Sequence, residues 1–153
     1  MAQCGGMRIV FPLMLLGTLA TGQSEAVYGV WRVNLSRSTA PFSDLVKVRF
    51  EPHRRGEVFT VERVHADGRA TTSSTILYFD TLQRDFQDSD FSGTQSSSRL
   101  NDTTAEILRS CADGRTMRMV RRFGEKPREL VLEVTEQRPA GGRAERRLLL
   151  EKE

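Results

Sequence analysis

Cysteine is almost missing from this 153-residue chain: Cys4 and Cys111 are the only two. A disulfide framework is excluded as its source of stability, and so are the paired-cysteine motifs of zinc and redox sites. Histidine is as scarce, with only His53 and His65, and neither stands in a metal-ligand spacing such as H-E-x-x-H. No G-x-S-x-G is present, and no Ser, Cys or His falls in a known nucleophile motif. The chain is therefore read as a non-enzyme with no cofactor and no metal. Lysine is also rare, three against twenty arginines. Acids interrupt the basic residues and the aromatics lie elsewhere, so the cationic stripe with stacking rings that marks nucleic-acid sites is missing. The pairs Arg54-Arg55, Arg121-Arg122 and Arg146-Arg147 fit solvated strand faces instead.

Long apolar runs are lacking as well. The longest, "IVFPLMLLGTLA", has 12 residues and directly follows Arg8, the only charge in residues 1–24. It is well short of the ~20 residues that span a bilayer, so no stable membrane span is expected. A basic start, a short apolar run and small residues after it form a secretory signal. The expected signal covers 1–22, with cleavage after Gly22 or as late as Ala26, and implies a secreted or periplasmic protein. No cysteine follows the run to carry a lipid. The remaining 131 residues suit one domain, placed at 27–152. That is long enough to bury a core without disulfides, and Cys111, left without an intramolecular partner, is expected to be a buried hydrophobe.

What is present is alternation. "VYGVWRVNL" sets Val27, Gly29, Trp31, Val33 and Leu35 on one face and Arg32 and Asn34 on the other, as in a half-buried strand. "LVKVRFE" repeats the pattern, and "EVFTVERVH" leaves Phe59/Val61 and Val58/Val64 competing for the inner face. "TTSSTILYF", "SSSRL", "TAEILRSC", "TMRMVRRF", "ELVLEVTEQ" and "RAERRLLLE" follow. Asp-Gly turns at "ADGR" (66–69 and 112–115) and the glycines of "RPAGGR" separate strands, the first two read as tight turns with positive φ at both central residues. The result is all-β: about nine antiparallel strands, with an up-and-down barrel and a sandwich both open on periodicity alone.

The opening strand bears on that choice. Gly29-Val30-Trp31 resembles the G-x-W of calycins, the superfamily of lipocalins and fatty-acid-binding proteins. The wider layout is similar to small secreted bacterial lipocalin-like proteins, through Gly29 to Ser36, Asp67-Gly68, Tyr78-Phe79-Asp80, Asp113 to Met117 and Leu149 to Lys152. The resemblance implies an antiparallel up-and-down, lipocalin-like β-barrel with its first and last strands adjacent. It implies that Trp31 closes the barrel floor under a late-strand arginine, and that the interior can hold a small apolar or amphipathic ligand. The middle-strand T-D-Y of lipocalins is absent. So is the Arg-x-Tyr with which fatty-acid-binding proteins fix a carboxylate, since Arg146-Arg147-Leu148 has no tyrosine. Residues 36–44 are too few for a helical lid.

Ligand-contact candidates are Trp31, Arg121 and Arg146. Alternation puts both arginines beside inward hydrophobes, where a charge must be paired, stacked or solvated. "DSDFSG" (88–93) opens like a calcium loop but has Arg99 where the bidentate Glu should stand, so it reads as an acidic loop. Two functions remain: a binder of a small hydrophobic ligand, or an envelope interaction module whose barrel is filled by side chains. Small inward positions around Ser73 to Thr75 and Ser96 to Ser98 would leave room on one side.

Overall fold

The computed structural model describes residues 26–39 and 45–153; the signal segment 1–22 lies outside them. Ten strands follow in order: β1 (Gly29–Val33), β2 (Leu45–His53), β3 (Gly56–Val64), β4 (Ala70–Leu77), β5 (Arg84–Gln87), β6 (Ser92–Asn101), β7 (Thr104–Cys111), β8 (Thr116–Phe123), β9 (Glu129–Gln137) and β10 (Arg143–Lys152). All pair antiparallel in one sheet, ordered β4-β3-β2-β1-β10-β9-β8-β7-β6-β5. The chain thus goes up and down with each neighbour and closes through β1 and β10, where Trp31 faces Lys152 and Val33 faces Leu150. This is a nearly closed barrel rather than a sandwich.

Nine strands were legible as alternating runs; the tenth is β5. Its sequence Arg-Asp-Phe-Gln buries only Phe86, too short a stretch for a period of two to register. β1 ends earlier than the alternation predicts. Leu35 opens a 3-10 turn, Leu35–Arg37, capped by the Asn34 side chain, and is exposed rather than inward. In β3 the competition is decided by register: Phe59 lies opposite Phe50 and stacks on it at 5.2 Å, while Val64 is left exposed.

The Asp-Gly hairpins also differ from expectation. Gly68 and Gly114 have φ of 84° and 85°, but Asp67 and Asp113 are not at positive φ. Gly68 N donates to His65 O and His65 N to Arg69 O, and Cys111 to Arg115 and Arg138 to Gly142 repeat that pairing. This is the type I turn followed by a left-handed glycine, which widens the hairpin by one residue. The aspartate has a separate task. Its carboxylate accepts the Arg69 amide and guanidinium in one copy, and those of Arg115 in the other. "DGR" is one turn solution used twice.

Among the described residues β4 and β5 are the only sheet edges, consecutive in sequence yet not paired as strands. Side chains span the interval. Gln95 Nε2 donates to Thr75 Oγ1 at 3.0 Å and Ser73 Oγ to Asp88 Oδ2 at 3.3 Å. Phe79 N and Thr81 N donate to Ser97 Oγ and O, both at 3.0 Å. The Ser/Thr-rich composition of β4 and β6 is what supplies short polar arms at this seam.

Candidate ligand cavity

The barrel is filled in one half and open in the other. At the end holding the N-terminus of β1, Trp31, Phe50, Leu77, Leu130 and Leu150 are all at most 2% exposed. Trp31 Nε1 donates to Val27 O at 2.7 Å, which satisfies its one polar atom. The cation over its ring is Lys152, with Nζ 5.3 Å from the centroid and bonded to Ala26 O. This corrects the expectation of a late-strand arginine on Trp31: neither Arg121 nor Arg146 is its ring partner.

Arg121 instead lies over Phe50 at 4.5 Å and pairs with Glu57, Nη2 to Oε1, at 2.8 Å. The two side chains are 7% and 0% exposed. Burial pushes the Arg121 guanidinium below its ordinary value, and the Glu57 charge opposes that shift. Arg121 Nη1 and both Glu57 oxygens lack a well-angled hydrogen bond among the described residues. Sequence reasoning did not select Glu57: it shares the face of Phe59 and Val61, and alternation left that face and the one of Val58 and Val64 in competition.

Toward the opposite end an internal cavity of about 90 Å³ remains. Val48, Phe59, Met117, Met119, Leu132 and Leu148 form its apolar wall; Ser73, Thr75, Asp88, Arg109 and Arg146 form its polar side. It follows from side-chain size, because β4 presents Ser73 and Thr75 inward where other strands present Val, Met or Leu. Of the three sequence candidates, the structure brings Arg146 to this cavity and leaves Trp31 and Arg121 away from it. Arg146 stands where the cavity meets solvent, two-fifths exposed and 3.9 Å from Glu136 Oε2.

Arg109 was missed. It follows Ala105 and Ile107 on the inward face of β7 and is as buried as they are; the alternation in "TAEILRSC" carried that signal. Its guanidinium lies 3.8 Å over Phe86, Nε donates to Gln95 Oε1 at 2.9 Å, and Nη1 is 3.7 Å from Asp88 Oδ2. Burial pushes its pKa down to about 10, with Asp88 pulling the other way, so it stays charged at neutral pH. The Nη groups are the underused donors at the cavity wall: 3.7 Å is an electrostatic contact, beyond hydrogen-bond reach.

The carboxylates of "DSDFSG" are engaged within the protein. Asp88 Oδ1 accepts the amides of Asp90 and Phe91, each at 2.8 Å, and Asp90 pairs with Arg63 at 3.0 Å. No group of three His, Cys, Asp or Glu could hold a metal among the described residues. The motif's glycine answers to the sheet, since a Cβ on Gly93 would lie 2.0 Å from Ser110 O. Cys111 is half-buried and free, and burial raises its thiol pKa.

The same barrel fold is found in solved structures. Caenorhabditis elegans lipid binding protein 8 in its apo form aligns with a TM-score of 0.58 and 8% identity, over 84% of this chain and 96% of that one. A Schistosoma mansoni fatty acid binding protein in complex with arachidonic acid gives 0.57 and 10%, over 86% and 99%. Zebrafish ileal bile acid-binding protein complexed with cholic acid gives 0.53 and 11%, over 84% and 99%. No protein-family model matches the sequence, and no curated protein sequence does. At such identities the likeness is one of fold.

Proposed function

We propose that the chain is an exported, non-enzymatic binding barrel for a small amphipathic molecule with an apolar body and an anionic end. The observation that carries this reading is Arg109. A cation 8% exposed, on the polar side of a cavity whose other side is apolar, has only one hydrogen bond from its guanidinium among the described residues. Fixing a few polar groups in an apolar pocket is how small-molecule sites orient a ligand, and a guanidinium fork matches a carboxylate. Arg146 at the opening adds positive charge, while Arg63, which also lines the cavity, is paired with Asp90. Met117 and Met119 are unbranched and adaptable, which suits a chamber that must widen around its occupant.

The cavity supports a binder over a barrel filled by side chains, since about 90 Å³ is several times the space one water needs. The neighbours whose names mention lipid, fatty acid or bile acid point the same way. Export rests on Arg8 and the apolar run after it. Native mass spectrometry of protein recovered from its producing cell tests both parts. The expected result is a chain beginning after Gly22 or Ala26 with a co-purifying acid of low mass. An intact residue 1–20 segment on soluble cytoplasmic protein would overturn export. Failure of every acidic amphiphile to bind in titration would overturn the binding reading.

A further inference from the structure

We propose that Asp88 is a resident counter-ion that neutralises Arg109 in the empty barrel and, staying in place, yields the guanidinium to the acid group of an arriving ligand. The inference rests on the binding reading above and goes beyond it by naming the residue that sets selectivity for the anionic end.

The geometry separates what holds Asp88 from what Asp88 neutralises. Its Oδ1 is fixed by two amides of its own link, and its Oδ2 accepts Ser73 Oγ. Neither bond involves Arg109, whose Nη1 is 3.7 Å from Oδ2. The link itself is tied down independently, by Asp90 to Arg63 and by Arg115 Nη2, which donates to Asp90 O at 3.1 Å. Asp88 can therefore yield the guanidinium while keeping its three hydrogen bonds. A ligand carboxylate free to approach both Nη groups makes two charge-assisted bonds at ordinary distance where Asp88 makes none.

Both partners are buried, with side chains 10% and 8% exposed. Without Asp88 the empty barrel would hold an unpaired buried cation, which is costly. With it, an incoming anion must outcompete an acid already present. The device keeps the unloaded barrel stable and makes loading reversible, at the expense of affinity for anions. Neutral ligands of the same shape gain no charge attraction from Arg109 and do not compete with the Asp88 charge.

Calorimetric titration of the mature chain with decanoate and with decanol tests this, in the wild type, Asp88→Asn, Arg109→Gln and the double variant. Asparagine keeps the Oδ1 acceptor for the Asp90 and Phe91 amides; Asp88→Thr, whose hydroxyl caps the same amides, serves if the first variant does not fold. The expected result is about a tenfold gain for decanoate on losing the Asp88 charge, the scale of one hydrogen bond to a charged group. Decanol should be unaffected, and the gain should vanish in the Arg109→Gln background. Unchanged decanoate binding in Asp88→Asn and Asp88→Thr, with both probes still binding, overturns the proposal and leaves the binding reading standing. An equal gain in the Arg109→Gln background also overturns it, because Asp88 would then act by repelling the ligand directly. If neither probe binds any of the four proteins, both readings fall.

Discussion

Removing one partner of the Glu57–Arg121 pair should damage the fold far more than removing both. A nitrogen–oxygen contact of 2.8 Å puts the two charges roughly 4 Å apart, an attraction of about 4 kcal/mol at an effective dielectric near 20. Each ion lost several kcal/mol of hydration on burial, so the pair as a whole is close to balanced. Glu57→Gln removes the charge attraction and keeps the cost of burying Arg121, which is left with a neutral amide oxygen and the Phe50 ring beside it. The expected loss is about 3–5 kcal/mol, a large share of the ~5–15 kcal/mol typical of a whole domain. Arg121→Met should cost a similar amount by orphaning Glu57. The double variant Glu57→Leu/Arg121→Met fills the same space with apolar atoms and should recover most of the loss, or exceed the wild type by ~1–4 kcal/mol.

Urea unfolding followed by the fluorescence of Trp31, the only tryptophan, measures all four proteins. The midpoint should fall in each single variant and return in the double one, with the slope unchanged. Single variants within about 1 kcal/mol of the wild type, the range of an exposed pair, would refute the reasoning. Ligand titration is the second readout: Arg121 does not line the cavity, so the double variant should bind as the wild type does.

Trp31→Ala should destabilise by roughly 3–5 kcal/mol, as large aromatic truncations in cores do, because Trp31 is 1% exposed and its N–H is bonded. Thermal unfolding checks it, and a nearly unaltered melting temperature would return Trp31 to the ligand site. Gly93→Ala should cost about 1–3 kcal/mol from overpacking, because its Cβ would strike the Ser110 carbonyl; denaturant midpoints decide. In acid, Asp80 is the sharpest marker, its carboxyl held at about 2 by the Arg84 guanidinium. A depressed folded-state value means the contribution is present above the ordinary 3.8 and lost as pH falls toward about 2. Asp80→Asn should therefore flatten the acid limb of stability against pH over that window.

Most of the architecture was readable because alternation acts on every residue of a half-buried strand. β2, β8 and β10 repeat large apolar side chains at every second position, and each signal is several residues long. β5 offers one buried phenylalanine in four residues, so its existence depends on the β6 partner rather than on its own pattern. The site was less readable for a related reason. Alternation says which residues face inward, and it correctly turned Arg121 in. It says nothing about the partner on another element, which for Arg121 is Glu57 and for Arg109 is Asp88, 64 and 21 positions away in sequence. G-x-W marked the barrel's filled end, so reasoning outward from Trp31 led away from the cavity.

The seam between β4 and β5 yields the last prediction. Every other strand in the barrel has two backbone partners, whereas these two have one each. Where backbone ladders stop, four hydrogen bonds through Ser73, Thr75, Gln95 and Ser97 join the sides, each worth about 1 kcal/mol net, with one exposed ion pair, Arg63 to Asp90, beside them. A local opening there breaks few bonds, and over the Ser/Thr stretch 71–75 of β4 it exposes little apolar surface. Opening β9, with Leu130, Val131 and Leu132 buried, would disrupt two ladders and the core together. Amide hydrogen exchange should then be fastest in β4 and β5 among the strands and slowest in β9, approaching the global unfolding free energy only in the latter. Thr75→Val removes the Gln95 bond without changing the side-chain outline, and should speed exchange in β4 and β5 severalfold while leaving β9 unchanged. Exchange in β4 as slow as in β9 would mean that the seam is held by something other than these four bonds.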